Sequence, residues 1–242
     1  VSFAPELVVA SSDDELAALG AELLGRAIDA AVRARGRALV ALSGGSTPGP
    51  VYRALTELSL PWRDVVFAWV DERAVPPHHP RSNYRAAAAE LDLDGALRAA
   101  STLRMRGGEA ELEAEARRYE ASLRALFGVA RAVAFDAVVL GVGDDGHTAS
   151  LFPGTGDVEI ADRLVAAIPA RPERGLEARL TLTAPVLREA RLALVLAKGA
   201  SKRPRLEQAL TEGPLDEVPA RLVREVAGHV AIVCDQAAAP AG

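Results

Sequence analysis

Short apolar runs alternate with amphipathic segments along almost the whole 242-residue chain. That alternation constrains the fold more than any other feature. The runs Arg37–Ser43 (RALVALS), Asp64–Val70 (DVVFAWV) and Phe135–Val142 (FDAVVLGV) are almost continuously apolar, so they predict strands covered on both faces. Leu164–Ile168, Leu180–Thr183, Leu192–Ala197 and His229–Cys234 predict further strands. The segments between them predict helices. The first opens at Ser12, with Glu15 completing a capping box, and closes at Gly36. Others are expected over Pro48–Leu58, Tyr84–Leu91, Glu109–Phe127 and Ser201–Leu210. In Glu109–Phe127, the residues Leu112, Ala116, Tyr119, Leu123 and Leu126 form one stripe. The tail AAAPAG predicts a frayed end. Such a chain predicts one α/β domain over residues 1–242, Rossmann-like, with a mostly parallel central sheet and helices on both faces.

Composition narrows the function classes. Hydrophobic residues make up 50% and charged residues 25%, which suits a globular protein and not a disordered one. A net charge of −5 argues against a nucleic-acid surface. Cys234 is the only cysteine, so no internal disulfide is available. No apolar run reaches the ~18 residues of a membrane span, and the first residues carry no basic signal-peptide region. The expectation is a cytoplasmic protein with no membrane or nucleic-acid partner. Of 28 Lys and Arg residues, only Lys198 and Lys202 are lysine. A compact ammonium there is a candidate for work that a planar guanidinium would not do.

In open α/β sheets, ligands sit beyond the carboxyl ends of the strands, so the loops after strands are where chemistry is expected. Ser43-Gly44-Gly45-Ser46-Thr47 follows one strand and opens a helix, with Thr47 suited to the N-cap and Pro48 to the first helical position. It reads as a phosphate or carboxylate cradle, or else as a glycine turn without a ligand. Asp71-Glu72-Arg73 follows the next strand, either serving a site or forming a surface ion-pair cluster. His78 and His79 lack further ligands at metal-binding spacing and read as loop residues. Gly141, Gly143 and Gly146 match the dinucleotide spacing G-x-G-x-x-G. Asp144 and Asp145 would repel a pyrophosphate, and Pro153-Gly154 arrives too soon for a full helix, so that reading fails. What remains is a glycine turn presenting two carboxylates and His147, a general-base candidate as well as a structural one. Lys202 opens the helix after Leu192–Ala197 and suits an anion as a point charge, while Lys198 reads as a strand-end charge. Ser43 and Ser150 lack the G-x-S-x-G elbow, and Cys234 reads as a buried, inert thiol.

Together these loops resemble the 6-phosphogluconolactonase family. The matching stretches are LSGGSTP (Leu42–Pro48), DER (Asp71–Arg73), SNY (Ser82–Tyr84), GVGDDGHTASLFPG (Gly141–Gly154), RLTLT (Arg179–Thr183) and KGASK (Lys198–Lys202). The resemblance implies the fold shared with glucosamine-6-phosphate isomerases. It also implies hydrolysis of 6-phosphogluconolactone to 6-phosphogluconate in the pentose phosphate pathway, with no metal or organic cofactor. The related deaminases carry a glutamate after their D-G-H turn, in a stretch like I-A-F-N-E-P-G, where this chain has Phe152. They usually carry an aromatic where this chain has Arg73. Both departures favour the lactonase over the deaminase. A non-catalytic sugar-phosphate sensor on the same fold is the other alternative, and the retained His147 speaks against it.

A δ-lactone is an activated acyl group, so no covalent nucleophile is required. His147 is expected to take a proton from the attacking water and return it to the leaving ring oxygen. Asp145 is expected to orient His147, and Arg73 to stabilise the oxyanion or grip substrate oxygens. Ser43, Gly44, Gly45, Ser46, Thr47 and Lys202 are the expected phosphate ligands, with Arg179 a further candidate. Asp71 and Gly143 are further substrate-binding candidates.

Overall fold

The structure is a computed structural model and describes residues 3–128 and 133–241. In chain order its elements are β1 (Glu6–Ala10), α1 (Asp13–Arg35), β2 (Ala38–Leu42), α2 (Pro48–Thr56), β3 (Val65–Trp69), β4 (Asp71–Arg73), α3 (Asn83–Glu90), β5 (Ser101–Leu103), α4 (Leu112–Phe127), β6 (Ala137–Gly141), β7 (Val165–Ile168), β8 (Arg179–Leu182), α5 (Ala184–Arg188), β9 (Leu192–Ala197), α6 (Arg203–Leu210) and β10 (His229–Asp235). Seven strands form one parallel sheet in the order β1-β10-β9-β6-β2-β3-β5.

Pleating sends alternate side chains of each strand to opposite faces. In β2, Ala38, Val40 and Leu42 pack with α1, α2 and α3, while Leu39 and Ala41 pack on the side of α4, α5 and α6. Each face meets an apolar layer, which is why these strands carry no polar alternation. The sheet order reverses at β2 and β6. From β2 the chain steps outward to β3 and β5; from β6 it steps the other way through β9 and β10. The loops after β2 and β6 therefore diverge above the sheet and open a crevice at its carboxyl edge.

β4, β8 and β7 form a separate three-stranded antiparallel sheet. The sequence predicts strands at β7 and β8 but not their departure from the main sheet. Val70 makes the transfer. Its N–H donates to Leu42 O (2.9 Å) in the main sheet, and its carbonyl accepts from Leu182 N–H (2.7 Å) in the second. One residue thus hands the chain from β3 to β4 beside the crevice.

Smaller differences have local causes. Ser12 Oγ accepts from Glu15 N–H (3.1 Å), but the Glu15 carboxylate turns back to Ser11, so only one arm of the expected capping box forms. Gly36 ends α1 in the left-handed region at φ 74°. The tail is not frayed over its described part. Ala238 is fully buried, and its N–H donates to Asp235 Oδ1 at 2.8 Å; residue 242 lies outside the described residues.

Candidate active site

A cavity of about 320 Å³ occupies the crevice. Ser43, Gly44, Gly45, Ser46, Thr47, Asp71, Arg73, Gly143, His147, Arg179 and Lys202 all line it, so all the expected catalytic and substrate-binding residues except Asp145 meet at one place. Asp145 stands behind His147 rather than on the wall.

The glycine loop is pinned from below. The fully buried Tyr52 hydroxyl accepts from Ser43 N–H (3.0 Å) and donates to Ser43 O (2.9 Å), tying the loop to α2. Gly44 passes so close to Asn83 that a Cβ there would overlap its amide. Gly45 has φ 111°, which favours glycine. Thr47 does not cap α2, contrary to expectation: its backbone is already helical and its side chain makes no capping bond. The Ser46 and Thr47 hydroxyls are thus not engaged in capping. Pro48 and Pro50 carry no N–H, so donors at this helix entrance come from Gly49 and from the loop itself.

Strand alternation divides Asp71-Glu72-Arg73. Glu72 turns away from the cavity and accepts from Ser82 Oγ, Asn83 N–H, Tyr84 N–H and Arg73 N–H at 2.7–2.9 Å, holding the start of α3. Burial pushes its carboxyl upward, and those four bonds pull against that shift. The triplet is therefore no surface ion-pair cluster. Asp71 faces the cavity, accepting from Asn83 Nδ2 (2.9 Å) and Ser150 Oγ (2.6 Å), with Arg179 Nη1 at 3.7 Å. Arg73 and Arg179 are paired across the β4–β8 ladder. Arg73 Nη1 donates to Arg81 O (2.8 Å). Burial lowers the Arg179 pKa, opposed by the Asp71 charge. Arg73 Nε, Arg179 Nε and Asn83 Oδ1 are buried without a partner. Three unmatched polar atoms on residues of one cavity mark a place for a polar ligand.

The turn after β6 is wound tightly around its histidine. Gly143 N–H donates to His147 O (2.8 Å), and Gly146, at φ 94°, donates to Gly143 O (2.9 Å). Asp145 Oδ1 accepts from His147 N–H (3.0 Å) and lies 2.5 Å from Nδ1. That contact assigns the proton to Nδ1 and leaves Nε2 as the available base. Burial acts to raise Asp145, but the hydrogen bond and charge of His147 outweigh it and hold the carboxyl at about 2. On its other side the imidazole lies against Phe152, ring centroids 4.8 Å apart, and the Arg179 guanidinium carbon sits 5.3 Å from the same ring. Phe152 thus supports both the imidazole and the guanidinium. Asn83, Ser150 and Phe152 were not singled out as site residues, although all three fall inside the quoted motifs.

Lys202 Nζ lies 2.9 Å from Asp144 Oδ1. Lys198 pairs with Asp13 at the start of α1, in keeping with a strand-end charge, although it also reaches the cavity wall. His79 Nδ1 accepts from Arg81 N–H (3.2 Å) within its own loop.

Fold and cleft together define an α/β protein of the enzyme type, with a cavity whose cations suit a small anionic substrate. Comparison with known proteins narrows that class. The family model described as "Glucosamine-6-phosphate isomerases/6-phosphogluconolactonase" matches residues 11–232, and the chain belongs to this family. The 6-phosphogluconolactonase of Synechocystis sp. is 38% identical over 81% of this chain and 82% of its own length. The human 6-phosphogluconolactonase is 35% identical over 98% and 93%. A solved 6-phosphogluconolactonase from Shewanella baltica superposes with a TM-score of 0.85 at 28% identity, covering 96% of this chain and 98% of that one. A monomeric glucosamine-6-phosphate deaminase superposes with a TM-score of 0.74 at 21% identity, over 96% and 98%, a likeness of fold alone.

Proposed function

We propose that this cleft hydrolyses 6-phosphoglucono-δ-lactone to 6-phosphogluconate, the lactone-opening step of the pentose phosphate pathway, with His147 as the base. The observation that carries the mechanism is the Asp145–His147 pair, 2.5 Å apart, whose His147 shares the cavity wall with Arg73 and Arg179. His147 Nε2 takes a proton from water as the water oxygen bonds to C1. Arg73 and Arg179 stabilise the oxyanion on the carbonyl oxygen. When the C1–O5 bond breaks, the imidazolium returns its proton to O5 and the carboxylic acid is released. Asp145 stays ionised throughout, keeps Nδ1 protonated and stabilises the imidazolium.

The phosphate, with ≈ −1.5 to −2 charge, would lie against Ser43–Thr47 and Lys202 and fix C1 before the base. Asp71 and Gly143 complete the wall; Asp71 also holds Arg179. Deaminase chemistry fits less well, because Phe152 is a buried phenyl ring that cannot move protons. A sensor without turnover would not require an oriented base.

We read residues 1–242 as one domain, because the cleft draws on loops from Ser43 to Lys202. No helix among the described residues is long and apolar enough to cross a membrane. The cytoplasm suits a soluble sugar-phosphate substrate and a single buried thiol. The test is lactone hydrolysis by the purified protein, corrected for the spontaneous rate. Turnover well above background is expected; its absence with properly folded protein would overturn the reading.

A further inference from the structure

The carboxylate of Asp144 is the acid of the His147 turn that the mechanism leaves unused. It does not hang free. Its Oδ1 lies 2.9 Å from Lys202 Nζ and accepts from Ser201 Oγ at 3.1 Å. Its carbonyl oxygen accepts from Arg205 Nε at 3.1 Å. Three side chains at the start of α6 thus grip one residue of the catalytic turn. Lys202 is only 25% exposed and lines the cavity, whereas Asp144 is 71% exposed. Both residues line the cavity, and the ammonium is the more buried of the two while its partner carboxylate faces solvent.

We infer that Asp144 is an internal anion that occupies Lys202 until a substrate phosphate displaces it, so that part of the phosphate's binding energy goes into breaking that pair. This rests on the reading of Lys202 as a phosphate ligand. The exchange is physically reasonable. A pair whose carboxylate is 71% exposed contributes little, so a phosphate of nearly two negative charges that also meets the glycine-loop donors displaces it. A neutral sugar offers the ammonium no charge and cannot compete. A carboxylate product end or a chloride ion competes only as an equal in charge and finds the place taken. Lys202 holds Asp144 below the usual carboxylate range, so the competitor is ionised wherever the enzyme works. Asp144 therefore acts on the phosphate end of the substrate, lowering the affinity of every anion that must displace it from Lys202.

The test measures inorganic phosphate binding to the whole protein by calorimetry, in wild type, Asp144→Asn, Lys202→Ala and the double variant. Asparagine keeps the size of the side chain and its bond from Ser201 but removes the charge. Asp144→Asn should tighten phosphate about two- to fivefold, the range set by an exposed pair. It should tighten chloride, read by competition, by at least as large a factor. In the Lys202→Ala background the same change should have little effect, because the competition runs through Lys202. Unaltered phosphate binding in Asp144→Asn would overturn the inference. So would equal tightening with and without Lys202, which would make Asp144 only a distant repulsive charge. Unaltered binding in Lys202→Ala would instead sink the phosphate-ligand reading beneath it. Asp144→Ser, equally uncharged, repeats the measurement if the amide disturbs the turn.

Discussion

Ser150 Oγ donates to Asp71 Oδ2 at 2.6 Å, joining the histidine turn to the strand that carries Arg73. Ser150 is fully buried and Asp71 nearly so. The bond is the third in a short run of fastenings. Thr148 Oγ1 donates to Gly141 O (3.0 Å), Ala149 takes φ 48°, and Ser150 N–H donates to Thr181 Oγ1 (3.2 Å). A non-glycine residue in the left-handed region persists only where its neighbours hold it. Here they hold it so that the His147 imidazole and the Arg73 and Arg179 guanidinium groups face the same cavity.

Ser150→Ala removes the hydroxyl and leaves a buried carboxylate oxygen short of a donor. The expected cost is ~1–3 kcal/mol of stability, read from the urea midpoint. The loosened alignment of His147 against Arg73 and Arg179 should also lower kcat about tenfold at nearly constant KM. A variant that loses stability but keeps wild-type kcat would show that the fastening serves only the fold.

Replacing His147 with Ala should cut kcat by about 10²–10⁴, the range for general acid–base catalysis, with KM little changed. Asp145→Asn should cost less, since the ring keeps its Phe152 support. The pair also predicts a pH effect. Asp145 is held at about 2, below its ordinary 3.8. A depressed carboxyl stabilises the folded state fully above its unfolded value and loses that contribution as pH falls through the folded one. Thermal stability of the wild type should therefore decline from about pH 4 toward pH 2, and Asp145→Asn should show a shallower decline. Parallel slopes would mean that the carboxylate makes no such contribution.

What was legible in the sequence was what is local. The apolar runs, the Gly36 stop, the glycine turns and the neighbouring Asp145 and His147 each write their structure within a few residues. The rest depends on distant partners. Nothing near Asp71 shows that Val70 will pair forward with Leu182, so the small antiparallel sheet could not be separated from the main one. β5 is a three-residue edge strand too short to carry an apolar signature, and β1 does carry the apolar run Leu7–Ala10 but lies at the sheet edge with Leu7 and Val9 exposed. Thr47 looks like an N-cap because Pro48 follows it, yet the helical turn begins earlier and leaves its hydroxyl unused. Phe152 read as a substitution for an acid; only the fold reveals it between His147 and Arg179.

Lys202→Ala should raise KM for the phosphorylated lactone tenfold or more, since bonds to charged groups contribute ~1.5–3 kcal/mol. The same variant should hydrolyse glucono-δ-lactone, which has no phosphate, with the wild-type kcat/KM. A wild type that handles both lactones equally well would remove the cradle assignment.

Hydrolysis should survive exhaustive chelation. In the proposed mechanism His147 activates the water and two guanidinium groups meet the oxyanion, so that chemistry needs no Lewis acid. Loss of activity with EDTA, restored by one divalent ion, would require a different mechanism.

Gly143→Ala tests the geometry of the turn without removing any reacting group. A Cβ at Gly143 would overlap both His147 Nδ1 and Asp145 Oδ1, so the pair must part or the turn must shift. The Gly143 backbone needs no left-handed conformation, so alanine meets only this local collision. The expected variant is folded, binds phosphate as the wild type does, and loses kcat about as much as His147→Ala. Gly141→Ala is the matched control, because a Cβ there meets nothing within 4 Å. It should leave kcat nearly unchanged. Retention of wild-type kcat by Gly143→Ala would show that the close Asp145–His147 contact is dispensable for turnover.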